Sequence, residues 1–202
     1  MSLKINIDTC LNELSSNDKI IASLIKDLPK FTPKKSQTPF FDLIRSIISQ
    51  QLSVKAAKTI YDRYIQLIGY PYDADYLVSI DIESLRSVGI SYQKCNYIKN
   101  VASKLIDNSN FFLVLENCSD DEVIEELTRI KGVGVWTAQM FLMFTLGRLD
   151  VLPLGDVGIQ NAVQKFYQLN SKPDHKQLQE IAANWSPYRT IGCWYLWQAL
   201  DS

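Results

Sequence analysis

The segment Leu127-Thr-Arg-Ile-Lys-Gly132-Val-Gly134-Val-Trp-Thr137-Ala138-Gln-Met-Phe141 constrains this chain more than any other, because it sets Gly-x-Gly between two stretches of helical periodicity. One helical pattern ends at Ile130 and a second begins near Trp136. Glycine lacks a Cβ, so two of them at this spacing permit a tight reversal and close backbone approach. The amides freed by the reversal point outward at the start of the second helix, where the dipole favours an anion such as a phosphate. By itself the pattern describes equally well an αα-corner whose glycines serve packing alone. A dinucleotide-binding reading fails, since the third glycine of GxGxxG is missing and no strand pattern precedes it.

Helical periodicity continues through most of the remaining chain. Ser53 reads as an N-cap, followed by Val54, Ala57, Tyr61, Tyr64, Ile65 and Ile68 on one stripe, with Gly69 as the stop. Phe40, Ile44, Ile47 and Ile48 form a similar stripe before it, and Lys94, Ile98, Val101 and Leu105 another after it. Ser119-x-x-Glu122 is a capping box ahead of Val123, Ile124, Leu127 and Ile130. Asp174 and Ser186 read as two further caps, the second followed by Pro187 at a first-turn position. Phe111–Leu115 could form a short strand, but no second strand pattern offers it a partner. The polar run from Pro33 to Pro39 reads as a loop joining an N-terminal helix to the core. The expectation is an all-α protein of about nine or ten helices.

Composition removes several classes. With 8 Gly and 7 Pro in 202 residues the chain is neither collagenous nor low-complexity. No apolar run exceeds the five residues of Met140–Phe144, too short to span a bilayer, so no membrane partner is expected. Met1–Asn6 lacks the apolar stretch of a secretory signal, which points to an intracellular protein, in the cytoplasm and nucleoid or in a nucleus. Cys10, Cys95, Cys118 and Cys193 form no CxxC pair or zinc spacing and read as free thiols. The single histidine, His175, excludes two-histidine metal motifs and reads as a solvated side chain. The formal charge of −1 does not advertise a nucleic-acid binder. Six acids crowd into the eleven residues 116–126, however, and the remainder of the chain is net positive, which permits a basic face elsewhere.

The hairpin segment resembles the helix-hairpin-helix of the HhH-GPD superfamily of DNA glycosylases, in which a Gly/Pro-containing stretch and an aspartate follow the hairpin. Leu152-Pro153-Leu154-Gly155-Asp156 occupies that place. Three more stretches are similar to the DNA-3-methyladenine glycosylase II branch: Ile47-Ile-Ser-Gln50-Gln51-Leu52-Ser53-Val54-Lys-Ala56-Ala57, Gly89-Ile90-Ser91-x-x-Lys94-x-x-Tyr97-Ile98, and Trp185-Ser-Pro187-Tyr-Arg189-Thr. The resemblance runs from about Phe40 to Trp197, and four ordered motifs are far more specific than any one. It implies the helix-hairpin-helix glycosylase fold, two helical lobes with the active-site cleft between them. Residues 40–135 would form the central lobe, with 1–39 and 136–202 forming the second. The chain looks too short for the extra N-terminal β domain of some members.

The resemblance also implies an activity: a monofunctional glycosylase that flips an alkylated purine out of double-stranded DNA and hydrolyses its N-glycosidic bond. Asp156 takes the catalytic role, a negative charge beside an oxocarbenium-like sugar and a guide for the attacking water. Asp156 also reads as the N-cap of the helix that follows, and the two roles are compatible. Trp136 stands where glycosylase/lyase members carry a lysine nucleophile, so water attacks and no lyase step follows. Trp136, Trp197 and Met140 are base-pocket candidates, electron-rich partners for a cationic base. Each reads equally as a core side chain at helical spacing. Gln51 or Leu52 would be the wedge that fills the gap left by the flipped nucleotide. Lys131, Gly132, Val133, Gly134 and Thr137 would meet the DNA backbone, and the carbonyls of Thr128, Ile130 and Val133 would hold a monovalent cation, K+ or Na+. Only Cys193 lies beyond Asp156, so the iron–sulfur cluster of endonuclease III-like members is not expected, and no cofactor is required. The expected protein acts as a monomer on DNA. A non-catalytic helix-hairpin-helix DNA-binding module, a bifunctional glycosylase/lyase and a helical scaffold are the alternatives. The first leaves Asp156 without a use, the second needs the lysine, and the third leaves the hairpin unexplained.

Overall fold

A computed structural model describes residues 6–33 and 35–201. Most of Met1–Asn6, the stretch assessed for a secretory signal, lies outside the described residues, as does Lys34 of the polar loop. The described residues hold thirteen α-helices: α1 (Ile7–Asn17), α2 (Lys19–Asp27), α3 (Pro39–Ser49), α4 (Val54–Ile68), α5 (Ala74–Ser79), α6 (Ile82–Ser87), α7 (Tyr92–Asp107), α8 (Phe111–Leu115), α9 (Asp120–Thr128), α10 (Val135–Met140), α11 (Val157–Phe166), α12 (His175–Ala182) and α13 (Arg189–Asp201). A π-helical turn (Phe141–Thr145) extends α10, and a 3-10 turn (Ala183–Trp185) follows α12. No strand occurs among them. The helix count exceeds the expected nine or ten because α5, α6 and α8 are too short for a 3.6-residue period to declare itself. Phe111–Leu115 is α8, not a strand; its Phe111, Phe112 and Leu115 are buried side by side, as i, i+1 and i+4 of a helix allow. No helix among the described residues is long and apolar enough to cross a membrane.

The chain divides into two compact units. One is continuous, Lys35–Leu146. It runs past residue 135 to Leu146 because α10 and its π-helical extension pack on α3 of the same unit. Leu43, Ile44, Ile47 and Ile48 of α3 are at most 1% exposed, and each contributes about 1.5–3 kcal/mol on burial. They meet the stripe Cys95, Ile98, Val101 and Ala102 of α7 and the helix α4. Ser53 caps α4, accepting the Ala56 N–H at 3.3 Å, and Gly69 closes it at φ 83°. The Ser119/Glu122 capping box opens α9 with both of its reciprocal bonds.

The other unit joins the first two helices to everything from Gly147 onward. Here α2 and α11 each pack against α13. Buried Asp18 is its polar hub. Oδ1 caps α2 through the Ile20 and Ile21 N–H groups, while Oδ2 accepts from the Tyr167 hydroxyl at 2.5 Å and from Trp185 Nε1 at 2.9 Å. Asp174 caps α12 as its position suggested. Ser186 does not cap α13. The helix starts at Arg189, and its first N–H donates to Asp150 Oδ1 at 3.1 Å, a partner from far upstream. The same carboxylate grips the Arg189 guanidinium at 2.7 Å through each oxygen, and the Ser186 hydroxyl merely joins it at 3.2 Å.

Candidate active site

In the unit built from both ends of the chain, the turn Leu152–Gly155 delivers Asp156 to the start of α11. The Asp156 N–H donates to the Pro153 carbonyl at 2.9 Å, and Gln160 Nε2 ties the turn from within α11 by donating to the Leu154 carbonyl at 2.9 Å. Asp156 is 9% exposed. Its Oδ1 accepts the Ile159 N–H at 2.8 Å, which makes it the cap that its sequence position suggested. The same oxygen also accepts Trp197 Nε1 from α13 at 3.0 Å. A cap has no need of that second, distant donor, and the pair fixes the carboxylate's orientation. Gly158 makes the contact possible. A Cβ there would lie 3.0 Å from Asp156 Oδ1 and 3.1 Å from Trp197 Nε1. One turn before Trp197, Cys193 is wholly buried; burial, then the nearby Asp156 carboxylate, pushes its thiol far up, so it stays neutral beside the acid.

In the continuous unit, the sequence between α9 and α10 forms the glycine hairpin. Gly132 lies at φ 106°, a left-handed conformation that favours glycine, and a Cβ there would fall 2.0 Å from the Tyr97 ring. Gly134 is different. It is extended at φ −92°, and a Cβ on it would meet nothing within 4 Å. The turn between α3 and α4 reaches the hairpin through Gln50, whose Nε2 donates to the Gly132 carbonyl and to Thr137 Oγ1, each at 3.1 Å. The next residue, Gln51, takes a left-handed φ of 55° and is exposed. A groove of about 570 Å³ runs along these elements, lined by Gln50, Gln51, Tyr97, Gly134 and Trp136 among others.

The expected site residues therefore fall into distinct settings. Trp136, 40% exposed, lines the hairpin groove, whereas Met140, buried, lines a separate 350 Å³ recess with Asp42, Arg45 and Phe144. Trp197 does more than offer a ring for stacking, since its indole N–H is committed to Asp156. Leu52 is 37% exposed, and Gln51 and Leu52 remain side by side at the turn. Lys131 is exposed, while Ile130 and Val133 turn their side chains into the core. Thr137 is 3% exposed, and its hydroxyl accepts a hydrogen bond from Gln50 Nε2. Among the proposed cation ligands, the Ile130 carbonyl accepts the Val133 N–H at 3.0 Å, which leaves its second lone pair. Sequence reading missed Gln50 as the tie between turn and hairpin, and Gly158 as the clearance beside Asp156. Neither carries a local signal, because Gln50 reaches Gly132 and Thr137 more than eighty residues on and Gly158 makes room for Trp197 as well as for Asp156.

Comparison with known proteins gives a consistent set of relatives. Residues 44–187 match the model of the HhH-GPD superfamily base excision DNA repair protein. The chain is 35% identical over 195 residues to the alkylbase DNA glycosidase-like protein mag2 of Schizosaccharomyces pombe, covering 92% of this chain and 90% of that one. It is 33% identical to DNA-3-methyladenine glycosylase 1 of the same organism, covering 92% and 84%. Among solved structures, the Schizosaccharomyces pombe 3-methyladenine DNA glycosylase in complex with abasic DNA superposes with a TM-score of 0.87 at 31% identity, over 96% of this chain and 97% of that one.

Proposed function

The chain belongs to the HhH-GPD superfamily of base excision DNA repair proteins, and from that premise we propose that it is a monofunctional DNA glycosylase releasing alkylated purines, of the 3-methyladenine and 7-methylguanine type, from duplex DNA. The relatives named as 3-methyladenine glycosylases support the substrate class. The observation that carries the chemistry is Asp156, held by two N–H donors on one oxygen.

Purines alkylated at N3 or N7 are cationic in DNA. When the C1′–N bond breaks, the base keeps the bonding pair and leaves neutral, so little acid assistance is needed. Positive charge then builds on the sugar ring, and a fixed carboxylate stabilises it without reorganising. Water adds to C1′ and gives up a proton, completing hydrolysis. Trp136 offers no amine, so the sugar forms no covalent adduct at that position. Gln51 or Leu52 would occupy the space vacated by the flipped nucleotide. Lys131 and the hairpin backbone about Gly132 and Gly134 would contact phosphate, which positions the duplex without reading its sequence. The carbonyls of Thr128, Ile130 and Val133 suit a monovalent cation, which would help neutralise that phosphate. The protein acts as a single chain.

The test is release of free base from methylated duplex DNA by the wild type and Asp156→Asn. The wild type is expected to release 3-methyladenine or 7-methylguanine. The variant should bind DNA equally well and turn over about 10³-fold more slowly. Equal single-turnover rates would refute the assignment of Asp156, and no release by either protein would refute the substrate class.

A further inference from the structure

The motif Gly89-Ile90-Ser91-x-x-Lys94-x-x-Tyr97-Ile98 has no role in the chemistry above. It forms the start of α7, with Ser91 as its cap. Lys94, Tyr97 and Asn100 follow at intervals of three residues, which places them along one face of that helix. Each of the three meets an element proposed to touch DNA. Lys94 Nζ donates to the Ile48 carbonyl at 2.8 Å and to the Gln50 carbonyl at 2.6 Å, the orphan acceptors where α3 ends and the Gln50–Leu52 turn begins. The Tyr97 ring fills the space that a side chain at position 132 would need. Asn100 Nδ2 donates to the Lys131 carbonyl at 3.1 Å. Gln50 closes the circuit from turn to hairpin.

We propose that this face of α7 is a jig that sets the Gln51–Leu52 turn against the glycine hairpin, and that Lys94 is the positioning residue for base extrusion. The inference rests on the glycosylase reading and deepens it. Three features favour a positioning role over simple solvation. Lys94 is half-buried and spends its ammonium on two carbonyls. Burial also lowers its pKa, a cost that a surface lysine avoids by reaching for water. The turn it holds also contains a non-glycine residue in a left-handed conformation, which persists only where its surroundings over-determine it. A wedge must enter the base stack as a rigid body. A loose turn would lose the advantage at the step where a paired base is pushed out, and nowhere else.

That restriction supplies the test. Lys94→Met keeps the alkyl stem and removes the donors, while Lys94→Arg keeps charge and donors. Single-turnover release of 7-methylguanine would be measured with the lesion paired to cytosine and with it opposite an abasic site, where extrusion is already easy. Melting temperatures and binding to undamaged duplex serve as controls for folding and docking. For the paired lesion, Lys94→Met is expected to be at least about tenfold slower than wild type, the loss of two hydrogen bonds from a charged donor. Opposite the abasic site its deficit should shrink to about twofold or less, and Lys94→Arg should recover most of the paired rate. A deficit of the same size on both substrates would overturn the proposal, as would a Lys94→Met rate equal to wild type. Should Lys94→Met prove too unstable to assay, Lys94→Arg with a pairing-independent deficit would overturn it equally. Failure of the wild type itself to release base would instead strike the glycosylase reading.

Discussion

Replacing Trp197 by Phe separates two jobs that the side chain could do. Phenylalanine keeps an aromatic ring on α13 but has no N–H for Asp156 Oδ1, so the 3.0 Å bond is lost while the Ile159 donor at 2.8 Å stays. A hydrogen bond to a charged group contributes about 1.5–3 kcal/mol. If the bond serves to hold the carboxylate where charge develops on the sugar, its loss falls on the transition state. At 1.36 kcal/mol per decade of rate, the single-turnover constant for base release should drop about 10- to 150-fold. The folded state loses part of the same bond, so melting should fall by a few degrees, at about 2–4 °C per kcal/mol for a chain of this size. The assay is base release from methylated duplex under enzyme excess at a temperature well below the melting point, with affinity for an abasic duplex measured alongside. Rate should fall while affinity holds within about threefold. A Trp197→Phe protein within about twofold of wild type would refute the orientation argument and leave Trp197 a stacking surface alone.

The two hairpin glycines should respond oppositely. Gly132→Ala puts a methyl 2.0 Å from the Tyr97 ring at a positive φ, and should cost about 3 kcal/mol or more, read as a melting point lower by roughly 6–12 °C. Gly134→Ala meets no neighbour and should leave melting within about 1–2 °C, yet weaken duplex binding if backbone approaches phosphate there. A stable Gly132→Ala protein would contradict this account. At Asp150, burial alone would raise the carboxyl's pKa, but the hydrogen bonds from Arg189 outweigh it and hold it below the usual carboxylate range. A depressed pKa stabilises the fold above the unfolded value of about 3.9, and that contribution vanishes as pH falls through the lower folded value. Asp150→Asn should therefore lower the melting point at neutral pH and flatten its decline below about pH 4; an unchanged acid profile would count against the clamp.

What could be read from sequence was what the chain decides locally. Ser53, Asp174 and the Ser119/Glu122 box cap helices through residues three positions on, so the signal and its partner lie in the same window. The cap at Asp156 was equally plain, its partner Ile159 lying three positions on. What escaped depends on partners far apart in the chain. Ser186 has the composition of a cap, but Asp150 takes the α13 terminus from 39 residues away. The bond that Gln50 makes to the Thr137 hydroxyl spans 87 residues, and neither end advertises it. Trp197 was legible as an aromatic near the site, and its N–H bond to Asp156, 41 residues upstream, was not. The α8 segment failed for a different reason: five apolar residues carry no period by which to tell helix from strand.

The unit that carries Asp156 takes its material from both ends of the chain, and this sets a timetable for synthesis. Phe31 donates its N–H to the Tyr195 hydroxyl, a partner made 164 residues later. At about 5–20 residues per second, α1 and α2 wait roughly 8–33 s for α13 to be translated. Through that interval Leu14, Ile21 and Leu24, all buried in the folded protein, lack the α13 residues that α2 packs against. The continuous stretch from Lys35 to Leu146 has all of its residues synthesised well before then. Asp156 belongs to that late-closing unit, and its Trp197 donor arrives only with α13.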